Sequence, residues 1–166
     1  MLTLYCKGRT SKALGVIILW MIIEVENEAA TREFAQKLGR VLKGAEIIEL
    51  VGDVGAGKTT FVKGMALGLD IDEDVQSPSF TINSLYDARD GLHLAHYDFY
   101  RLAEAGIMSD DLAENMQDPA TITVIEWADI VEGTLPEHRL TINFETPTET
   151  TRRLTLTGRD DLVAQL

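Results

Sequence analysis

Cysteine is nearly absent from this chain of 166 residues, in which Cys6 is the only one. A single cysteine excludes an internal disulfide and a cysteine-based metal cluster, and it is typical of a reducing compartment such as the cytoplasm. The chain also has no internal repeats and no low-complexity tracts. Its length is that of one ordinary domain with a substantial core.

Basic residues are scarce as well. The 15 lysines and arginines face 27 aspartates and glutamates, which gives a net charge of −12. Because the neutralisation of phosphates by basic side chains is the main source of non-specific affinity for nucleic acids, this chain is a poor free-standing nucleic-acid binder. The excess negative charge favours solubility and suits a basic protein partner.

Long hydrophobic runs are missing too. The apolar run at residues 14–23 is too short to cross a bilayer, and we expect no membrane association. Basic residues before it give a superficial similarity to a signal peptide, but residues 24–28 are acidic and form a poor cleavage region. We interpret residues 1–20 as an extension that is loosely packed or disordered over most of 1–15, or as a misassigned start. A single domain then covers residues 21–166, beginning at Met21.

A glycine-rich stretch carries the strongest chemical signal. It fits the phosphate-binding P-loop pattern G-x-x-x-x-G-K-T and is followed by a second threonine, in the sequence Gly52-Asp53-Val54-Gly55-Ala56-Gly57-Lys58-Thr59-Thr60. Glycines let such a loop wrap closely around phosphates, so that successive backbone N–H groups and the following helix N-terminus face the anion. Lys58 is predicted to reach the β- and γ-phosphates, and the Thr59 hydroxyl to ligate Mg²⁺.

The flanking segments fit this prediction. Residues 46–51 are mostly apolar and indicate a buried strand, whereas residues 60–69 place Phe61, Met65 and Leu69 on one helical face.

Elsewhere the patterns predict a short edge strand at 22–26, a helix at 29–42 capped by Asn27, and a hairpin at 80–98. They also predict mainly helix at 99–118 with a loop near 106–109, a buried strand at 122–126, and an antiparallel pair at 139–144 and 152–156.

Two acids at strand ends complete the predicted site. Asp98 ends one predicted strand and Glu126 ends another, and ligands of open α/β sheets lie outside the carboxyl ends of the strands. We therefore expect both carboxylates to face the Mg²⁺ held by Thr59, with Lys58, Asp98 and Glu126 as the catalytic groups. Which acid contacts the ion and which orients the attacking water stays open.

Other candidate residues carry weaker signals. His93 and His96 are three apart in a strand and point to opposite faces, so a shared metal is not expected. Arg101 could contact phosphate or form a surface salt bridge. Trp127 could pack over the site or fill the core.

Four motifs in this order and spacing resemble the TsaE (YjeE) family: the P-loop above, Ser77-Pro78-Ser79-Phe80, His96-Tyr97-Asp98-Phe99-Tyr100-Arg101, and Ile125-Glu126-Trp127. The resemblance runs from about residue 21 to about residue 144. It implies a three-layer α/β P-loop NTPase-like domain with a mixed central sheet and an antiparallel C-terminal strand pair.

The resemblance also implies a function. The protein would bind ATP and Mg²⁺, hydrolyse ATP weakly on its own, and support N6-threonylcarbamoyladenosine modification of tRNA with the TsaB and TsaD proteins. It would contact tRNA only indirectly, through that complex, and would be cytoplasmic. The segment at residues 77–80 would be a switch-like loop near the γ-phosphate. Family members often have Thr where Ser79 stands, and the hydroxyl is kept.

Three other functions are compatible with a P-loop and differ in the residues that they require. A small-molecule P-loop kinase usually closes an arginine-bearing lid over the phosphates. Residues 99–120 contain a single arginine, Arg101, which argues against a kinase. A GTPase would carry an Asn-Lys-x-Asp motif, which does not occur in the sequence. A non-catalytic interaction module gated by nucleotide stays open.

Overall fold

The computed structural model describes residues 2–10, 17–102, 106 and 108–166. Within them lie eight strands: β1 Leu2–Thr10, β2 Ile17–Val25, β3 Ile47–Val51, β4 Asn83–Asp87, β5 His93–Asp98, β6 Thr121–Glu126, β7 Leu140–Glu145 and β8 Arg152–Thr157. The α-helices of the same residues are α1 Glu28–Val41, α2 Lys58–Gly68, α3 Met108–Gln117 and α4 Asp160–Val163. No helix in this part of the chain combines the length and the apolarity needed to cross a membrane.

All eight strands form one mixed sheet in the order β1-β2-β8-β7-β3-β6-β5-β4. At its centre, β3 pairs in parallel with both β6 and β7, and β6 pairs in parallel with β5. The pair β7 and β8 is antiparallel. The predicted mixed sheet and antiparallel C-terminal pair are therefore confirmed.

Helices cover both faces of the sheet and produce three layers. Side chains alternate along the strands, so Ile48 and Val124 join a core cluster under α1 and α2, while Ile47 and Ile125 join a second cluster on the other face. That second cluster includes Leu112 of α3. The predicted three-layer α/β fold is confirmed.

Glycines allow α1 and α2 to pack in direct backbone contact. A Cβ added at Gly64 of α2 would lie 2.6 Å from the carbonyl oxygen of Arg32, and one at Gly68 would lie 2.3 Å from that of Gln36. On the facing helix, a Cβ at Gly39 would lie 2.3 Å from the carbonyl oxygen of Met65. Larger residues at these positions would push the helices apart.

The N-terminal segment differs from the prediction of loose packing. Residues 2–10 form β1, which pairs antiparallel with β2, with Cys6 opposite Met21. Backbone hydrogen bonds to β2 hold residues 2–10 in a strand. The composition of these residues gives no clear signal of a strand. Because β2 lies between β1 and β8, the strand predicted at 22–26 is not an edge strand. Residues 11–16 lie outside the described residues, and the choice of Met21 as the natural start stays a prediction.

Two further boundaries differ from the sequence patterns. The strand predicted from residue 80 begins only at Asn83, because Ile82 has a φ of 72° and its N–H bonds to the Pro78 carbonyl at 2.6 Å. The helix predicted over 99–118 begins at Met108, because residues 99–102 form a turn closed by Leu102 N–H donating to the Phe99 carbonyl. Residues 103–105 and 107 lie outside the described part of the chain.

Replacing Gly64 with alanine tests the contact between α1 and α2. Alanine is a better helix former than glycine by about 1 kcal/mol, yet the overlap with Arg32 is expected to lower the free energy of unfolding by about 1–3 kcal/mol. Gly133→Ala is the matched control, because a Cβ there meets no atom within 4 Å. Chemical denaturation of both variants measures the difference, and equal stabilities would contradict this interpretation.

Candidate active site

The candidate site lies where three parallel strands end. Strand pairing places Leu50 of β3 opposite Glu126 of β6, and Glu126 opposite Asp98 of β5. The carboxyl ends of these strands therefore meet at one edge of the sheet, as the sequence predicted. Asp98 and Glu126 follow the same alternation as Leu94 and Val124, which pack on the side covered by α1 and α2.

A glycine loop, defined here as residues 52–57, connects β3 to α2. Gly52, Gly55 and Gly57 have φ values of 151°, 78° and 102°, which L side chains rarely adopt. A Cβ at Gly52 would also lie 2.9 Å from the carbonyl oxygen of Phe144. Ala56 is buried. The local pattern of strand, glycine loop and helix is therefore present where the sequence predicted it.

Lys58 begins α2 and is only 5% exposed. Its Nζ donates to the carbonyl oxygens of Gly52 at 2.7 Å and Asp53 at 3.0 Å. Burial lowers the pKa of the Lys58 ammonium, although the negative charges of Glu126, Asp98 and Asp53 oppose that shift. The ammonium is thus held at the mouth of the glycine loop, opposite the acids.

Trp127 covers the lysine from the other side. The Lys58 Nζ lies 4.4 Å from the centroid of the indole ring, which is cation–π distance. Tyr100 packs on the same indole, with ring centroids 4.8 Å apart. Trp127 has a left-handed backbone with φ 59°, a sparsely populated conformation that is often found at functional sites. Trp127 therefore packs over the site and also against the second core cluster.

Glu126 is 3% exposed and is held by two side chains. The Thr59 hydroxyl donates to Glu126 Oε1 at 3.4 Å, and His96 Nε2 lies 2.9 Å from the same oxygen. His96 itself is fully buried, and its Nδ1 has no hydrogen-bond partner. Thr59 and Glu126, both predicted for the metal, are therefore brought together.

Asp98 is 5% exposed and is held by the segment at residues 77–80. Its Oδ2 accepts from the Ser77 hydroxyl at 2.8 Å and from the Ser79 hydroxyl, and its Oδ1 accepts from the Tyr100 N–H at 3.1 Å. The hydroxyls of Ser77 and Ser79 therefore both donate hydrogen bonds to one acid of the site, Asp98.

A hollow of about 270 Å³ lies between these groups, lined by Lys58, Thr59, Asp98, Glu126 and Trp127 among others. An ammonium, the start of a helix and a glycine loop attract an anion such as phosphate. No group of three or more His, Cys, Asp or Glu with metal-site spacing occurs among the residues that the structure describes. A cation would therefore depend on the two acids, the Thr59 hydroxyl, and oxygens from phosphate and water.

The sequence interpretation missed the role of His96. His96 and Asp98 are two apart on β5 and share a face, which is a signal that could have placed this histidine beside the acids. Arg101 was predicted to contact phosphate or to form a salt bridge. Its guanidinium lies 4.3 Å from the centroid of the Phe80 ring, and contact with phosphate stays a prediction.

His96 is expected to hold Glu126 in place, whereas its neighbour His93 is partly exposed on the opposite face. His96→Ala leaves the buried Glu126 carboxylate short of a partner and should lower the free energy of unfolding by about 1–3 kcal/mol. His93→Ala should stay within about 0.5 kcal/mol of the parent chain. Urea denaturation of the two variants makes the comparison, and an equal effect would contradict the role given to His96.

The chain is similar to known proteins in both sequence and fold. The family model described as threonylcarbamoyl adenosine biosynthesis protein TsaE matches residues 25–154. The chain is 38% identical over 126 residues to the tRNA threonylcarbamoyladenosine biosynthesis protein TsaE of Treponema pallidum, which covers 76% of this chain and 92% of that protein. It is 38% identical over 134 residues to the protein of that name from Bacillus subtilis, with 80% and 82% covered.

A solved structure shares the fold. The crystal structure of Bacillus subtilis YdiB matches with a TM-score of 0.72 and 31% sequence identity, covering 90% of this chain and 92% of that one. The resemblance drawn from the four motifs is therefore confirmed, and the chain belongs to the TsaE family.

Proposed function

We propose that this protein binds and hydrolyses ATP with Mg²⁺, and that this activity supports threonylcarbamoyladenosine modification of tRNA together with TsaB and TsaD. The observation that carries the proposal is the convergence of Lys58, Thr59, Asp98 and Glu126 on one hollow beside the glycine loop. An anion site and a cation site thereby adjoin, as a Mg–nucleotide complex requires.

The glycine loop supplies the phosphate site. N–H groups of residues 52–60, apart from that of Ala56, which donates to the Asp53 carbonyl oxygen, would surround the phosphates together with the start of α2. The positive φ angles of the loop glycines allow this. Lys58 now donates to two carbonyl oxygens of the loop. In the complex its ammonium would also meet the β- and γ-phosphates as a point charge.

The residues present fit a Mg²⁺ ion. Magnesium prefers one or two carboxylates, with its other ligands from phosphate and water. The contact of Thr59 with Glu126 pairs a hydroxyl with an acid, the combination that holds Mg²⁺ in P-loop NTPases. When bound, the ion would neutralise charge on the β- and γ-phosphates. Glu126 is therefore assigned to the ion, and His96 positions its carboxylate.

Asp98 is assigned to the attacking water. Its Oδ2 accepts from both the Ser77 and the Ser79 hydroxyl, which fix its direction. Asp98 would orient water toward the γ-phosphorus; the new P–O bond forms as the bond to the β-phosphate oxygen breaks, giving ADP and inorganic phosphate. The water proton leaves with the phosphate product or transiently on Asp98.

The pathway assignment has a different support. Relatives at 38% identity are named for tRNA threonylcarbamoyladenosine biosynthesis. The net charge of −12 favours contact with a protein partner over direct contact with tRNA. TsaB and TsaD are the partners that the family implies, and a cytoplasmic location follows from their use of ATP and tRNA.

Removing the ammonium should weaken nucleotide binding. Lys58→Ala deletes charge-assisted hydrogen bonds to phosphate, so the Kd for ADP should rise about 10- to 100-fold and ATP turnover should vanish. Isothermal titration and phosphate release measure the two effects. Lys63→Ala, on the same helix but partly exposed and 3.8 Å from Asp74, is the control and should bind normally. Unchanged turnover in Lys58→Ala would refute the site.

Glu126→Gln separates an enzyme from a nucleotide-gated module. The amide keeps the shape and loses the charge, so ADP binding should persist while turnover with TsaB and TsaD falls about a hundredfold or more. Glu137→Gln, on an exposed side chain, is the control and should behave as the parent chain.

Tests of tRNA modification in the reconstituted system complete the comparison. If ATP turnover is required, tRNA modification should be lost when the Glu126→Gln variant replaces the parent protein. Full modification by that variant would favour the module, and nucleotide binding without phosphate release, alone or with partners, would leave the module or a kinase lacking its acceptor.

A further inference from the structure

We propose that Arg152, at the start of β8, is a positioning residue that presets the glycine loop for phosphate. The inference rests on the proposed function, because it requires the loop to bind phosphate. The Arg152 guanidinium would keep the Gly55 and Ala56 carbonyls directed away from the ligand. The Gly57 N–H, on the other side of the Ala56–Gly57 peptide, then faces the phosphates, whereas the Ala56 N–H donates to the Asp53 carbonyl oxygen at 3.1 Å.

The contacts of Arg152 join two loops. Its Nε donates to the Ala56 carbonyl oxygen at 2.9 Å, and one Nη reaches that of Gly55 at 3.5 Å. The other Nη donates to the carbonyl oxygens of Thr151 at 3.0 Å, Glu149 at 3.1 Å and Thr148 at 3.4 Å. One planar fork therefore fastens the glycine loop to the connection between β7 and β8.

Ala56 is buried, but the glycines on either side of it have little other steric support. Nothing lies within 4 Å of where a Cβ at Gly55 would be, and the nearest atom to a Cβ at Gly57 would be Arg152 Nε, at 3.8 Å. Peptide units beside glycines rotate readily between orientations. A donor that holds the carbonyls outward removes the inverted orientations before the ligand arrives, which reduces the ordering needed on binding.

The charge of Arg152 acts in the same direction. The hydrogen bonds that its guanidinium donates are accepted by neutral backbone carbonyls, so part of its positive charge can attract phosphate although Glu28 and Glu149 line the same hollow. Lys58, by contrast, has the charges of Asp98 and Glu126 nearby. Arg152 also lines a second hollow of about 360 Å³, which shares Gly55, Gly57 and Thr60 with the first.

Arg153 is a matched control on the same strand. It belongs to the opposite face of β8 and pairs with Glu24 at 2.7 Å and Glu145 at 3.3 Å. Both arginines lose a guanidinium on replacement by methionine, but only Arg152 contacts the glycine loop. A comparison of Arg152→Met with Arg153→Met therefore cancels general effects of removing a charge from β8.

The test measures binding of ADP and of pyrophosphate by calorimetry, with thermal unfolding of each ligand-free variant beside it. For Arg152→Met we expect the Kd to rise about tenfold or more, by the same factor for both ligands, because the defect lies in the phosphate loop. Arg153→Met should change either Kd less than twofold. Arg152→Lys, with one donor group and its charge kept, should fall between, and it serves if Arg152→Met fails to fold.

Each other outcome contradicts something specific. Parent-like Kd values in folded Arg152→Met or Arg152→Lys would overturn the positioning role and leave the proposed function standing. Loss of ADP affinity with normal pyrophosphate binding would mean that Arg152 contacts the nucleoside instead, which also overturns it. Failure of the parent protein to bind either ligand would overturn the proposed function and this inference together.

Discussion

Parallel pairing of β3, β6 and β5 is the constraint on which the candidate site depends. The register sets Glu126 between Leu50 and Asp98. Two acids that are distant in sequence therefore lie at the end of β3, where the glycine loop begins. A shift of one residue in either pairing would turn an acid to the other face of the sheet, into the cluster around Tyr97 and Leu112. Hydrophobic packing on both faces of the sheet fixes the strand register, and it thereby keeps both acids on the side of the glycine loop.

Charge balance explains why the acids and the lysine can be buried together. Glu126, Asp98 and Lys58 are each 5% exposed or less; the two acids accept hydrogen bonds from neighbouring groups and Lys58 donates them. Isolated charges at such depth would be strongly unfavourable, whereas hydrogen-bonded groups of opposite sign offset part of the desolvation. The left-handed Trp127 and the histidine behind Glu126 belong to the same arrangement.

The sequence predicted those parts of the site that are local in the chain or follow from sheet topology. The glycine loop is a continuous pattern, and Asp98 and Glu126 were placed because parallel strands end at a common edge. Arg152 was missed because its partners lie 96 and 97 residues earlier and no spacing rule relates them. The pairing of β1 with β2 was missed because the composition of residues 1–13 gives no clear strand signal, and the late start of α3 was missed because a local turn occupies residues 99–102.

The glycine contact between α1 and α2 divides the site into a fixed half and an adjustable half. Backbones that touch at Gly39, Gly64 and Gly68 cannot slide without first separating, so α2 carries Lys58 and Thr59 as a rigid reference frame. Structural adjustment to a ligand or a protein partner must therefore come from the segments opposite. Residues 77–82 qualify, because they lack regular structure and expose 83% of Phe80. The helix pair thus provides a fixed frame for any adjustment of residues 77–82.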